Sequence, residues 1–383
     1  MNKRNIGVVT WYNSINYGTC IQAYALTRFL LNKGYNAYIP ENFKYYYGIK
    51  HPIDSILVLI KKLKVKHNFT RKIIANNKLL QKIQSKFKER IDKNSNFAQK
   101  MNNIYSIKNS KDYDNMINET NIFVTGSDQI WNPYHTTPPY MLAFANKQHK
   151  KIAYSSSIGV EKIPSNKIGI YKKYLSKFNK IGVREKTAQI ELSKLLNKDI
   201  VTVLDPTFLL NKEEWYEIID NEISKSLPTK KYIFCYFIGK NRKWENQVKD
   251  FAEQNGLEVY CALSESYIVP NVGILKPELG VQEFINYLMH ADYIATDSFH
   301  AVALSINFNK EFIAYKRFND MDKNSQNSRI FDILSTFHLL NRLVENNNYL
   351  DIVRQDIDYI KTNEILCELR QKSEKFLINA IEE

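Results

Sequence analysis

Three short strings in this chain combine groups that carry protons with groups that hold anions. The first is Thr296-Asp-Ser-Phe-His300, where a carboxylate, a hydroxyl and an imidazole follow directly on the apolar run 293–295. An imidazole titrates near neutrality, so His300 is the candidate proton carrier, with Asp297 either orienting it or taking a proton itself, and Ser298 beside an anion. The second is Gly126-Ser-Asp-Gln-Ile-Trp-Asn-Pro133, in which Ser127, Asp128 and Gln129 offer hydroxyl, carboxylate and amide next to the indole of Trp131. Polar groups on an aromatic platform suit a sugar or a small phosphorylated ligand. The third set is cationic. Arg184 follows the apolar residues 181–183 and Arg329 stands near the start of a helical run, each presenting a planar fork that matches phosphate or carboxylate. Lys240 and Arg242 follow the run 231–239, and Asn16 and Gly18 occupy a loop whose backbone amides can meet an anion. Each also has a purely structural reading: a helix cap for Asp297 or Ser298, a core position for Trp131, a pair with Glu185 for Arg184, an ordinary turn at Asn16–Gly18.

Such strings need elements to hold them, and the pattern around them is strand, polar tip, helix, repeated. Residues 6–11 read as a buried strand, 12–18 as a turn-rich loop, and apolar positions from 21 to 30 recur at helical spacing until Gly34. Further apolar runs at 122–126, 151–154, 180–183 and 201–204 each end in polar residues, and the segment 211–229 is charged and contains Pro228. A second set of strands follows at 231–239, 257–262, 293–295 and 312–315. The class is α/β, with parallel strands whose carboxyl ends carry the polar strings, which is where open sheets bind ligands. The expected division is 1–215 for a first Rossmann-like domain with a helical insertion at about 45–115, 228–345 for a second, and 346–383 for a helical tail.

Composition narrows the function classes. The 383 residues include 44% hydrophobic and 13% aromatic types, enough for a sizeable core. No GxGxxG follows a strand and no GxxxxGK[ST] is present, so neither nucleotide fingerprint is available. Cys20, Cys235, Cys261 and Cys367 are scattered at no metal or disulfide-framework spacing, and reduced cytoplasmic thiols are the simplest reading. The formal net charge is +14, but residues 51–110 alone hold 14 Lys or Arg against three Asp or Glu. No nucleic-acid motif accompanies that cluster, so nucleic acid is not the expected partner. The run 53–60 followed by Lys61, Lys62, Lys64 and Lys66 has the pattern of a basic segment that lies on an anionic membrane, and a solvated basic face explains it as well. No secretory leader or membrane span is expected, so the location read from sequence is cytoplasmic, with peripheral contact at the inner membrane face as an open addition.

Taken in order, Asn16-Tyr-Gly18 with Gln22-Ala-Tyr-Ala25, Gly126–Pro133, Val183-Arg-Glu185, Leu204-Asp-Pro-Thr207, Thr296–His300 and Ser328-Arg329 resemble the polysaccharide pyruvyl transferase family over roughly residues 5–345. The Gly-Ser-Asp-Gln-x-Trp and Asp-Ser-Phe-His strings carry most of that resemblance. It implies two Rossmann-like domains facing across a cleft, the GT-B-like arrangement. It also implies transfer of a carboxyethylidene group from phosphoenolpyruvate to two hydroxyls of one sugar, in a surface polysaccharide or its lipid-linked precursor, with no metal or other cofactor. On that reading Arg184, Arg329, Ser298, Lys240, Arg242 and the amides near Asn16 and Gly18 hold the donor. His300 and Asp297 move protons, and Ser127, Asp128, Gln129 and Trp131 meet the acceptor. One departure stands out: Ser298 and Phe299 occupy the places where members of the family often carry Arg-Leu before the histidine. A GT-B-like glycosyltransferase with a nucleotide-sugar donor is therefore the alternative, and a non-catalytic sugar-binding protein is the third reading.

Overall fold

The computed structural model describes residues 4–51, 78–225, 227–265, 269–318, 326–345 and 349–383. The first sheet contains β1 (Asn5–Val9), β2 (Asn36–Pro40), β3 (Ile104–Tyr105), β4 (Ile122–Thr125), β5 (Lys150–Ser156), β6 (Lys180–Val183) and β7 (Val201–Thr202). Their order is β3-β2-β1-β4-β5-β6-β7, and neighbouring strands run parallel. The second sheet contains β8 (Tyr232–Phe237), β9 (Glu258–Leu263), β10 (Ile274–Lys276), β11 (Tyr293–Thr296) and β12 (Glu311–Ala314), in the order β10-β9-β8-β11-β12, again parallel. Parallel strands are covered on both faces, so they read as unbroken apolar runs without alternation. Every residue of β4 and β8 is buried.

Both sheets reverse their strand order once, between β1 and β4 and between β8 and β11. At such a reversal the two crossover connections leave in opposite directions and open a crevice beyond the strand ends. The two crevices meet. Helix α1 (Tyr17–Asn32) follows β1 and lies between the domains, with 13 of its 16 residues buried. The Tyr17 hydroxyl donates to the Leu279 carbonyl at 2.7 Å, and its ring stacks on Phe284 at 4.1 Å.

Helix α2 (Phe43–Lys50) and helix α3 (Lys78–Met101) belong to the segment expected as a basic insertion. The lysines at 61, 62, 64 and 66, on which membrane docking would rest, lie outside the described residues. The described part of that segment packs inward. Arg90 of α3 is fully buried and donates to the carbonyls of Ile15 in the first domain and Leu263 in the second. No described helix is long and apolar enough to cross a membrane.

Among the helices of the second domain, α4 (Phe299–Asn307) and α5 (Ser328–Thr336) matter for the site. The last helix, α6 (Tyr359–Glu382), was expected as a tail. It runs back along the first sheet, where Ser373 accepts the Leu204 amide at 2.9 Å and the Phe376 ring lies against Gly182.

Candidate active site

His300 sits in the first turn of α4, just past the end of β11, and is 7% exposed. Its ring packs against Gly18 at the start of α1. A Cβ at residue 18 would lie 2.0 Å from His300 Nδ1, so glycine here is what lets the two helix ends approach. Asp205 brings a carboxylate to the imidazole, its Oδ2 being 3.7 Å from Nε2; that nitrogen is buried and has no hydrogen-bond partner. Burial pushes the imidazole below its usual value, against the pull of Asp205 and Asp128 in the other direction.

Asp205, following β7, joins the groups that sequence reading kept apart. Its Oδ2 accepts Ser127 Oγ at 2.8 Å and Arg184 Nη1 at 3.0 Å, and its Oδ1 accepts the Thr207 amide at 3.1 Å. Burial raises its carboxyl, but His300, Arg184 and these hydrogen bonds outweigh burial and hold it below the usual carboxylate range. Arg184 also pairs with Glu185 at 3.0 Å and lies 4.2 Å over the Phe299 ring. Asp128 stands on the loop after β4, with φ +60°, and accepts the Thr19 hydroxyl at 2.9 Å.

A cavity of about 150 Å³ lies over His300. The first domain contributes Trp11, Asn16, Thr19, Asp128 and Gln129, and the second contributes Ile238, Ser298, Phe299, Arg317 and Arg329. Asn16 caps α1 by accepting the Thr19 amide at 3.4 Å, whereas Ser298 heads α4 without a side-chain cap and leaves that helix end open. Arg329 is the least compensated charge in the site. It donates to Gln326 at 2.7 Å, and Gln129, turned with its amide oxygen toward the guanidinium, accepts at 3.0 Å. Among the described residues no carboxylate lies within salt-bridge distance of it, and its Nε is buried without a partner. Burial, reinforced by Arg184 and Arg317, pushes Arg329 down to about 9. Behind the Arg184–Phe299 stack a second cavity of about 460 Å³ shares Asp205, Phe299 and Arg329 with this region.

Several residues fall elsewhere than expected. Asp297 does not reach His300: its carboxylate accepts the amides of Ile238 and Gly239 at 2.7 and 2.8 Å and Arg317 Nε at 2.9 Å. It braces the tip of β8 and aims Arg317. Trp131 is no platform for a ligand, being completely buried with its indole N–H donated to the Tyr140 carbonyl at 3.0 Å. Ser127 is likewise wholly buried and spent on Asp205. Lys240 and Arg242 are exposed and do not line the cavity. Sequence reading passed over Thr19, Asp205 and Arg317. Asp205 carried a signal, a carboxylate directly after an apolar strand, within the Leu204-Asp-Pro-Thr207 string. Arg317 carried the same kind of signal, a cation close after β12.

Two parallel sheets, each with one reversal of strand order, facing each other across a polar cleft make a GT-B-type fold. Solved structures share this fold at low identity. UDP-GlcNAc 2-epimerase from Neisseria meningitidis, solved with UDP-GlcNAc, matches with a TM-score of 0.50 and 10% identity over 99% of each chain. The Methanocaldococcus jannaschii UDP-GlcNAc 2-epimerase gives a TM-score of 0.45 and 11% identity over 92% of this chain and 98% of that one. The wall teichoic acid polymerase TagF gives 0.41 and 9% over 98% and 89%. Curated protein sequences returned no match. Residues 16–317 match the polysaccharide pyruvyl transferase family, and the chain belongs to that family.

Proposed function

We propose that this protein transfers a carboxyethylidene group from phosphoenolpyruvate to two hydroxyls of one sugar in a bacterial surface polysaccharide or its lipid-linked precursor. The observation that carries the donor half is Arg329, a buried cation facing the cavity with no carboxylate of its own. Leaving such a charge uncompensated is costly, and an anion entering the cavity removes the cost. Arg317 at the same wall and the open end of α4 favour the same sign of ligand. Phosphoenolpyruvate carries both a phosphate and a carboxylate.

The chemistry needs a proton on the enol methylene, which makes the neighbouring carbon an oxocarbenium centre. His300 supplies that proton. One sugar hydroxyl adds to the centre, and phosphate leaves with its oxygen. The second hydroxyl then closes the ketal. The two hydroxyl protons restore His300 and protonate the departing phosphate, so no further reactant is required. Asp205 holds the imidazolium in place by charge, and Asp128, which lines the same cavity, relays one hydroxyl proton to the departing phosphate. The acceptor sugar and its ring positions are set by the neighbouring surface.

Melting curves test the donor. Phosphoenolpyruvate at 100 times its dissociation constant should stabilise the protein by about 2.7 kcal/mol. Arg329→Met should melt higher than wild type without ligand, by roughly 1–3 kcal/mol, since it removes an uncompensated buried charge. It should also lose the phosphoenolpyruvate shift. A protein stabilised by a UDP-, GDP- or CMP-sugar and indifferent to phosphoenolpyruvate is a glycosyltransferase, and the donor reading fails.

A further inference from the structure

A groove of about 580 Å³ adjoins the His300 cavity and shares Trp11 and Thr19 with it. It runs along the carboxyl ends of β1 and β2 and is closed by Tyr140 from the turn Pro138–Met141. Its volume falls inside the range of about 300–1,000 Å³ usual for small-molecule sites. The floor is aromatic: Phe43 and Tyr140 are buried, Trp11 and Tyr12 are half-buried, and Tyr45 stands at the rim with 67% of its surface exposed. Trp11 is fixed. Its ring meets Tyr140 edge-on at 5.8 Å, and its carbonyl accepts Gln22 Nε2 at 2.8 Å. Asn13 and Asn42 add exposed amides, and among the described residues no carboxylate lines the groove.

Rigid rings with amides at their edge match one class of ligand well. A pyranose has an apolar C–H face that lies on an aromatic ring, and equatorial hydroxyls that reach amides around it. A nucleotide diphosphate would need cations, and the cation that the described residues bring to the groove, Lys44, is set over the Tyr140 ring at 4.8 Å. The shared wall gives the direction, because a sugar on Trp11 points past Thr19 toward His300.

We propose that this groove is the acceptor site, and that it takes a neutral pyranoside whose terminal ring lies against Trp11 with its reacting hydroxyls toward His300. The inference rests on the sugar-transfer reading above and relocates the acceptor from Ser127 and Trp131, which are buried. Saturation-transfer NMR tests it with the methyl glycosides of glucose, galactose, N-acetylglucosamine and N-acetylmannosamine. At least one should bind wild type, and Tyr45→Ala and Asn13→Ala should each weaken it about tenfold, equivalent to roughly 1.4 kcal/mol. Both variants should keep the phosphoenolpyruvate melting shift. Binding that is indifferent to both substitutions, or binding of none of the four glycosides, overturns the proposal. Glycoside binding lost in the variants by a protein that never responds to phosphoenolpyruvate would keep the groove and discard the donor.

Discussion

At the scale of single residues, the unusual feature is a histidine in charge range of a carboxylate but not bonded to it. His300 Nε2 and Asp205 Oδ2 are 3.7 Å apart, and Asp205 spends its oxygens on Ser127, Arg184 and Thr207. Burial therefore wins over attraction, and the imidazole titrates below its usual value. Two consequences follow in sign. Between the usual and the lowered value the unfolded chain takes up the proton and the folded chain does not, so this group subtracts stability as pH falls through that window. As a proton donor in the free enzyme His300 loses its proton early as pH rises, so kcat/KM should fall through the same lowered value. An anionic donor bound beside it pulls the value up, so kcat should hold to higher pH. Asp205→Asn removes the main opposing charge and should move the kcat/KM limb further to acid. A profile that rises with pH in this range, measured as phosphate release from phosphoenolpyruvate with an acceptor glycoside, would make His300 a base. The imidazole itself was visible in the sequence, because few residues titrate there and it follows a strand. Its charged neighbour was not, since Asp205 belongs to the other domain and only folding joins them.

Elements explain why the polar strings converge. Each follows a strand that reads as an unbroken apolar run, so the strands and the tips were legible from sequence. Strand order was not, because periodicity says that a face is buried and not against what. The contact between α1 and α4 shows the difference. Gly18 looks like a turn residue in sequence, yet it is the point where His300 lies on the first domain. Gly18→Ala should therefore act like damage to His300. The new methyl would meet Nδ1 at 2.0 Å, and its three nearest atoms would all be ring atoms of that one side chain. Overpacking of this kind costs about 1–3 kcal/mol. We expect a lower melting temperature together with a loss of turnover far larger than the loss of phosphoenolpyruvate affinity. An alanine variant of unchanged turnover would show that the imidazole is free to move and that its position is not set by α1.

At the scale of the molecule, the described part of the basic segment has a structural task. Its described helix α3 is a brace between domains: Lys86 and Lys93 pair with Glu278 and Glu283 of the second domain at 3.5 and 2.5 Å. Arg90 is buried between them in sequence, with its guanidinium 3.9 Å over the Tyr17 ring and its donors on Ile15 and Leu263. Ile15 precedes the Asn16 cap, and Asn94 of the same helix donates to the Ser14 carbonyl at 3.0 Å, so α3 also fixes the loop that lines the cavity. Clustered charge in the sequence suggested a surface for an outside partner; for this helix the partner is the second domain. Half-buried surface pairs such as Lys86–Glu278 contribute about 0–1 kcal/mol and should be dispensable. Arg90→Met keeps the bulk over Tyr17 but strands two carbonyls, one in each domain, which should cost about 2–4 kcal/mol. Because Ile15 sits on the loop that enters the Asn16 cap and Leu263 ends β9 of the second sheet, the same substitution should weaken phosphoenolpyruvate binding although Arg90 touches no ligand. Lys86→Gln serves as the control of equal charge loss. Equal melting and equal ligand response in the two variants would mean that the cleft is held by its apolar contacts alone, chiefly the stack of Tyr17 on Phe284, and that Arg90 only fills space.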